Sequence, residues 1–125
     1  MLKKSPIDKN VPRELINLVM DRLEQTLPYK CRGIKITHQL IQVTLECLNE
    51  EPSKTLPQNC RNDVRSRTPD GLDYRIKNRM GSDLRTANII SDILAEAGIV
   101  KITHIINPKT GRSIKASQLL KDWTW

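Results

Sequence analysis

The sequence is 125 residues long, carries a formal net charge of +7 and contains no phenylalanine, with two tyrosines and two tryptophans. A chain of this length buries roughly two-thirds of the surface it exposes when unfolded, so a single domain with an aliphatic core needs neither disulfides nor metal. Cys31, Cys47 and Cys60 are too few for a disulfide scaffold and lack the close pair of a structural zinc site, and no apolar run approaches a membrane span; small secreted, zinc-finger and membrane classes are set aside.

Residues 1–11 read as a flexible N-terminal arm. Its Lys3, Lys4 and Lys9 read as a solvated start, and Pro6, Asp8, Lys9 and Asn10 interrupt the apolar run a signal peptide needs, so a cytoplasmic or otherwise intracellular protein is expected. Residues 12–49 form a helical support region. Leu15, Ile16, Val19, Leu23 and Leu27 recur at three- and four-residue spacing and predict a helix from Pro12 to about Leu27, where Pro28 stops it. Residues 29–33 read as a loop ending in Gly33, and Ile34, Lys35 and Ile36 as a very short strand. Thr37 can cap a second helix reaching about Asn49, with Leu40, Ile41, Thr44, Leu45 and Leu48 on one side and Cys47 beside them. His38, in its first turn, has no metal-like cluster around it and reads as exposed or capping.

Residues 50–71 lose the pattern. Pro52, Pro57, Pro69 and the Asp70-Gly71 pair mark an irregular basic connection or insertion, in which Arg61, Arg65 and Arg67 have no core role. Residues 72–125 are the most ordered part of the reading. Leu72, Ile76 and Met80 are spaced by four and predict a short helix with Arg75, Lys77 and Arg79 outside. Gly81, Ser82 and Asp83 form a turn, and Ser82 or Asp83 can cap a helix over residues 84–97 whose inward face is Ala87, Ile90, Ile93, Leu94 and Ala97. Gly98 stops that helix. Residues 99–106 are rich in β-branched side chains, with Val100, Ile102, His104 and Ile106 on one strand face and Lys101, Thr103 and Ile105 on the other. Residues 107–111 turn, a second strand returns from Arg112 to Ala116 or Ser117, and Leu119, Leu120 and Trp123 close the structure.

A short helix, a tight turn, a longer helix, a glycine stop and a basic hairpin within residues 72–115 resemble the winged-helix branch of the helix-turn-helix DNA-binding superfamily. The run Leu94-Ala95-Glu96-Ala97-Gly98-Ile99-Val100 is similar to the end of a recognition helix entering the first wing strand. The resemblance covers about two-fifths of the chain and implies an α+β, predominantly helical winged-helix-like domain with a C-terminal β-hairpin. It further implies a helix in the DNA major groove and a wing at the backbone or minor groove. On this sequence, the matching polar positions of the helix are Arg85, Thr86, Asn88, Ser91 and Asp92. Arg85 and Asn88 have the chemistry to pair with guanine and adenine, Ser82 and Thr86 to hold phosphates at the helix start, and Lys109, Thr110, Arg112 and Lys115 to meet phosphates at the wing.

Charge supports a polyanionic partner. Residues 1–60 hold nine Lys/Arg against seven Asp/Glu, residues 61–125 twelve against seven, and a basic surface concentrates nucleic acid around it. Arg61, Arg65, Arg67, Arg75, Lys77 and Arg79 are then candidate backbone contacts. The expected partner is double-stranded DNA, with a homodimer or protein partner as a further expectation because Trp123 and Trp125 at the tail can anchor one. Two alternatives stand beside this: a protein-interaction or structural subunit, and a small metal-dependent nuclease using Asp63, Asp70 and Asp73 among the central arginines. No catalytic triad, phosphate-binding glycine loop, metal site or cofactor motif is apparent, so no catalytic residue, metal or cofactor is assigned.

Overall fold

A computed structural model describes residues 11–58, 71–81, 85–106 and 111–125. The fold is α+β, with the C-terminal β-hairpin expected from the sequence.

Helix α1 (Arg13–Leu23) buries Leu15, Ile16 and Val19, with Glu14 in its first turn and Arg22 in its last, each placed to complement the helix dipole. It stops one turn before the expected Leu27. Glu24 adopts the left-handed conformation (φ 54°) and its N–H donates to the Met20 carbonyl, closing the helix ahead of Pro28. The predicted loop that follows is instead the first half of a hairpin. Strand β1 (Tyr29–Cys31) pairs antiparallel with β2 (Ile34–Ile36), and the two linking residues, Arg32 (φ 50°) and Gly33 (φ 82°), are both left-handed. That pair of positive φ values matches the twist of the flanking strands. Tyr29, Cys31, Ile34 and Ile36 pack on the core, and Lys30 and Lys35 face out.

Helix α2 (His38–Glu50) starts where Thr37 Oγ1 accepts the Leu40 N–H at 3.1 Å. It is the most enclosed helix, burying Leu40, Ile41, Val43, Thr44, Leu45, Cys47 and Leu48, and it touches α1, the two later helices and the sheet. Strand β3 (Thr55–Pro57) lies in the stretch read as irregular. It buries Leu56 and is an edge strand, where a proline costs no ladder bond. Helices α3 (Leu72–Met80) and α4 (Ala87–Glu96) follow, then strands β4 (Val100–Ile106) and β5 (Ser113–Leu119), and a 3₁₀ turn at Lys121–Trp123. The sheet is antiparallel with the order β3–β5–β4, so the strand after α2 closes onto the last strand of the chain.

Two polar clusters fix the helices to this sheet. Gln58 donates its backbone N–H to the Lys115 carbonyl and accepts the Asp73 N–H at its own carbonyl, both at 3.0 Å. Its side-chain Nε2 donates to Ser117 Oγ at 3.0 Å, and Ser117 donates to Ser91 Oγ of α4 at 2.6 Å. Each of these three side chains is thereby tied into one buried chain of hydrogen bonds, which the interior demands. At the far end of α4, Gly98 (φ 77°) donates to the Ala95 carbonyl and Ile99 to the Leu94 carbonyl, both at 3.0 Å, the paired bonds that terminate a helix on glycine. Arg22 Nη1 donates to the Ala97 carbonyl at 2.7 Å and its guanidinium lies 5.1 Å from the Trp123 ring centre. Trp123 Nε1 in turn donates to the Gly98 carbonyl at 3.2 Å. The expectation that Trp123 closes the structure is met at this junction.

Candidate nucleic-acid interface

The β4–β5 hairpin runs past the body that supports it. Near its base, Val100 opposite Leu119 and Ile102 opposite Ser117 face the core. Further out on the same face, His104 lies opposite Lys115 and Ile106 opposite Ser113, and here the burial ends: Ile106 is 64 % exposed. Strand β3 covers only residues 116–118 of β5, so the outer half of the hairpin has no third strand. The alternation read from the sequence therefore holds at the base and stops separating inside from outside beyond Ile102. On the other face, Ile105 and Ile114 are half-buried against each other. Lys101, Arg112 and Lys115 are exposed along this arm. Lys109 and Thr110, expected at its tip, lie outside the described residues.

Helix α4 presents much less surface than the sequence reading assigned to it. Its residues that are not buried are Asn88, Asp92, Ala95 and Glu96, one stripe at helical spacing. Thr86, expected to hold a phosphate, is 6 % exposed, and Ser91 is occupied by the inward bond to Ser117. Arg85 is exposed just ahead of the helix, and Asn88 is half-buried one turn along. Ser82 lies outside the described residues.

The start of α4 is set by α3. Asp73, 1 % exposed, accepts the backbone N–H groups of Thr86 at 3.2 Å and Ala87 at 3.3 Å on Oδ1. Its Oδ2 pairs with Lys77 at 2.9 Å. A carboxylate satisfies orphan helix donors and the positive end of the dipole at once. The Asp73 that the nuclease alternative offered to a metal thus has both oxygens engaged; Asp63 and Asp70 lie outside the described residues. Among the described residues, no group of three His, Cys, Asp or Glu side chains is placed to hold a metal ion.

The central cations are likewise engaged. Arg75 pairs with Glu51 at 3.4 Å, and Arg79 pairs with Glu50 and, at 3.7 Å, with Glu46. The bond to Glu50 holds the Arg79 guanidinium above its ordinary pKa. The Arg75 and Arg79 pairs staple α3 to α2, and Lys77 pairs within α3 with Asp73, so all three are structural cations before they are phosphate contacts. Arg61, Arg65 and Arg67 lie outside the described residues.

Sequence reasoning found the short strand at Ile34–Ile36 but not its partner β1, and so missed the hairpin. Arg32 at its tip reaches the exposed stripe of α4 and pairs with Asp92 at 2.9 Å, a bond that raises the arginine's pKa. Tyr29 sits near Glu96, and its phenol is pushed up first by burial, then by the charges of Cys31 and Glu96. The available signal was Arg32-Gly33 between two short alternating runs, an unusual composition for a two-residue turn. Comparison with known proteins finds no matching family model, no matching curated protein and no matching solved structure. No described helix is long and apolar enough to cross a membrane.

Proposed function

We propose that the chain is a winged-helix protein that binds double-stranded DNA, mainly through the phosphate backbone. The observation that carries the reading is the β4–β5 arm: it leaves the end of α4, outruns the sheet and carries exposed Lys101, Arg112 and Lys115. Behind it stand three helices, α2, α3 and α4, and a strand that closes the sheet from the other side. A net charge of +7 supplies the long-range attraction.

The chemistry of α4 weights the mode of binding. Its open stripe contains Asp92 and Glu96, which repel phosphates; Arg85, just ahead of it, offers a base-reading group, whereas the Asn88 Oδ1 that a bidentate pair with adenine needs is buried. Backbone contacts fix position without reading sequence. The wing therefore supplies affinity, and Arg85 adds at most a modest preference among sequences.

Fluorescence anisotropy with labelled duplex DNA, single-stranded DNA and RNA across a salt series tests this. Duplex binding is expected to weaken steeply with salt. Neutralising Lys109, Arg112 and Lys115 together lowers affinity for all duplexes and reduces the log–log salt slope by about 0.9 per lost phosphate contact. Changing Arg85 alters the ranking of duplexes with little change in that slope. Absence of salt-sensitive duplex binding at low ionic strength overturns the function.

A further inference from the structure

We propose that the β1–β2 hairpin is a second phosphate-contacting arm, set beside α4, in which Lys30 and Lys35 engage the DNA backbone and Arg32 masks the charge of Asp92. The proposal rests on the DNA-binding reading and deepens it.

Lys30 and Lys35 are directly opposite each other across the hairpin and both are exposed. Side chains so placed have Cβ atoms about 5 Å apart, and like charges there destabilise a strand pair. No described acid forms an ion pair with either lysine. The juxtaposition is an electrostatic cost to the hairpin, and a phosphate between the two ammonium groups relieves it.

The hairpin is also held firmly enough to act as a fixed contact. Ile36 is fully buried, and Tyr29, Cys31 and Ile34 pack against the core, so the opposite face is presented outward at a set position. That position is beside the open stripe of α4, because Arg32 reaches Asp92 from the hairpin's tip. Left alone, Asp92 and Glu96 put two negative charges on the one face of α4 that meets solvent. The Arg32 guanidinium cancels one of them, and Lys30 and Lys35 reverse the sign of the neighbourhood. A duplex lying along α4 near Asp92 thereby meets cations on the hairpin as well as on the wing.

The experiment measures duplex affinity and salt slope for the full chain and for Lys30→Gln/Lys35→Gln, Lys30→Arg/Lys35→Arg, Arg32→Gln and Arg32→Gln/Asp92→Asn. The glutamine pair is expected to bind roughly tenfold to a hundredfold more weakly at 0.1 M salt, with a slope smaller by about 1.8. Thermal melting of that variant is unchanged or raised, since a repulsion is removed. The arginine pair binds as the parent does. Arg32→Gln weakens binding, and adding Asp92→Asn restores much of the loss, which a merely structural contact would not do. If the parent binds duplex but the glutamine pair matches it in affinity and slope, or the arginine pair loses as much as the glutamine pair, the hairpin arm is overturned and the DNA-binding reading stands. If the parent does not bind, both fall.

Discussion

Among the described residues, Cys47 is the side chain whose acidity the fold alters most. It lies on α2 with no exposed surface, and burial pushes its thiol up from an ordinary 9.0 to about 11 although Arg79 and Arg75 nearby pull the other way. Desolvation wins because the thiolate would have to form inside the core. The folded state then keeps the proton at a pH where the unfolded chain has released it, so stability is full below about pH 9 and is lost as pH rises towards about 11. A rise of that size corresponds to about 2–3 kcal/mol. Urea midpoints measured from neutral pH to about pH 11 are expected to fall more steeply for the parent than for Cys47→Ala; parallel curves would contradict the role given to burial. The same protection predicts that the thiol resists alkylation until the helix opens. From the sequence, Cys47 was already readable as a small hydrophobe beside an apolar stripe, but the size of the effect comes from burial in the assembled core, against which Arg79 and Arg75 of α3 pull, and no helical wheel shows either.

Among elements, the joint between α3 and α4 is the one a single substitution tests best. Asp73 caps α4 from another helix and neutralises Lys77, so Asp73→Ala removes a cap, two buried acceptor bonds and an ion pair together. A loss of about 2–3 kcal/mol is expected, above the value of an ordinary cap because the donors are buried. It would be read as a lower urea midpoint with unchanged slope; a change under about 0.5 kcal/mol would mean that the N–H groups find other partners. The sequence located both helices, since Leu72, Ile76 and Met80, and then Ala87, Ile90, Ile93 and Leu94, repeat at the right spacing. It placed the cap at Ser82 or Asp83 because local rules see only residues next to the helix. Thr86 and Ser91 were misjudged as outward for a related reason: periodicity says which side chains share a face, whereas what covers that face depends on residues far along the chain, Ser117 of β5 against Ser91 and Asp73 of α3 at Thr86. Strand β1 was missed because Tyr29-Lys30-Cys31 lacks the β-branched alternation that made Ile34–Ile36 legible, and β3 because it exists by virtue of pairing with residues 116–118 far along the chain.

Over the whole molecule, charge was legible as a sum and misleading as a map. The excess of cations in residues 61–125 is real, yet Arg75, Lys77 and Arg79 are taken up by Glu51, Asp73 and Glu50. Lys30 and Lys35, from the nearly balanced half, form no ion pair with a described acid. Ion pairs form between elements brought together by folding, so the free charge of a region cannot be read from its composition.

The Gln58 carbonyl accepts the Asp73 N–H at 3.0 Å, and that one bond brings the two ends of residues 59–70 to neighbouring points on the framework. Whatever joins them closes a loop whose ends are already tied, and the entropy of closing such a loop changes by only about 0.6 kcal/mol when its length is halved. Replacing residues 59–70 with a glycine–serine linker of half the length is therefore expected to move the folding free energy by less than about 1 kcal/mol, as read by urea denaturation. A larger loss would show that the segment is part of the core. Since the exchange also deletes Arg61, Arg65 and Arg67, duplex binding measured on the same protein reports what those cations contribute. Gln58 and Asp73 are thus a fixed pair of points on the frame, held by their own hydrogen bond whatever the length of chain between them.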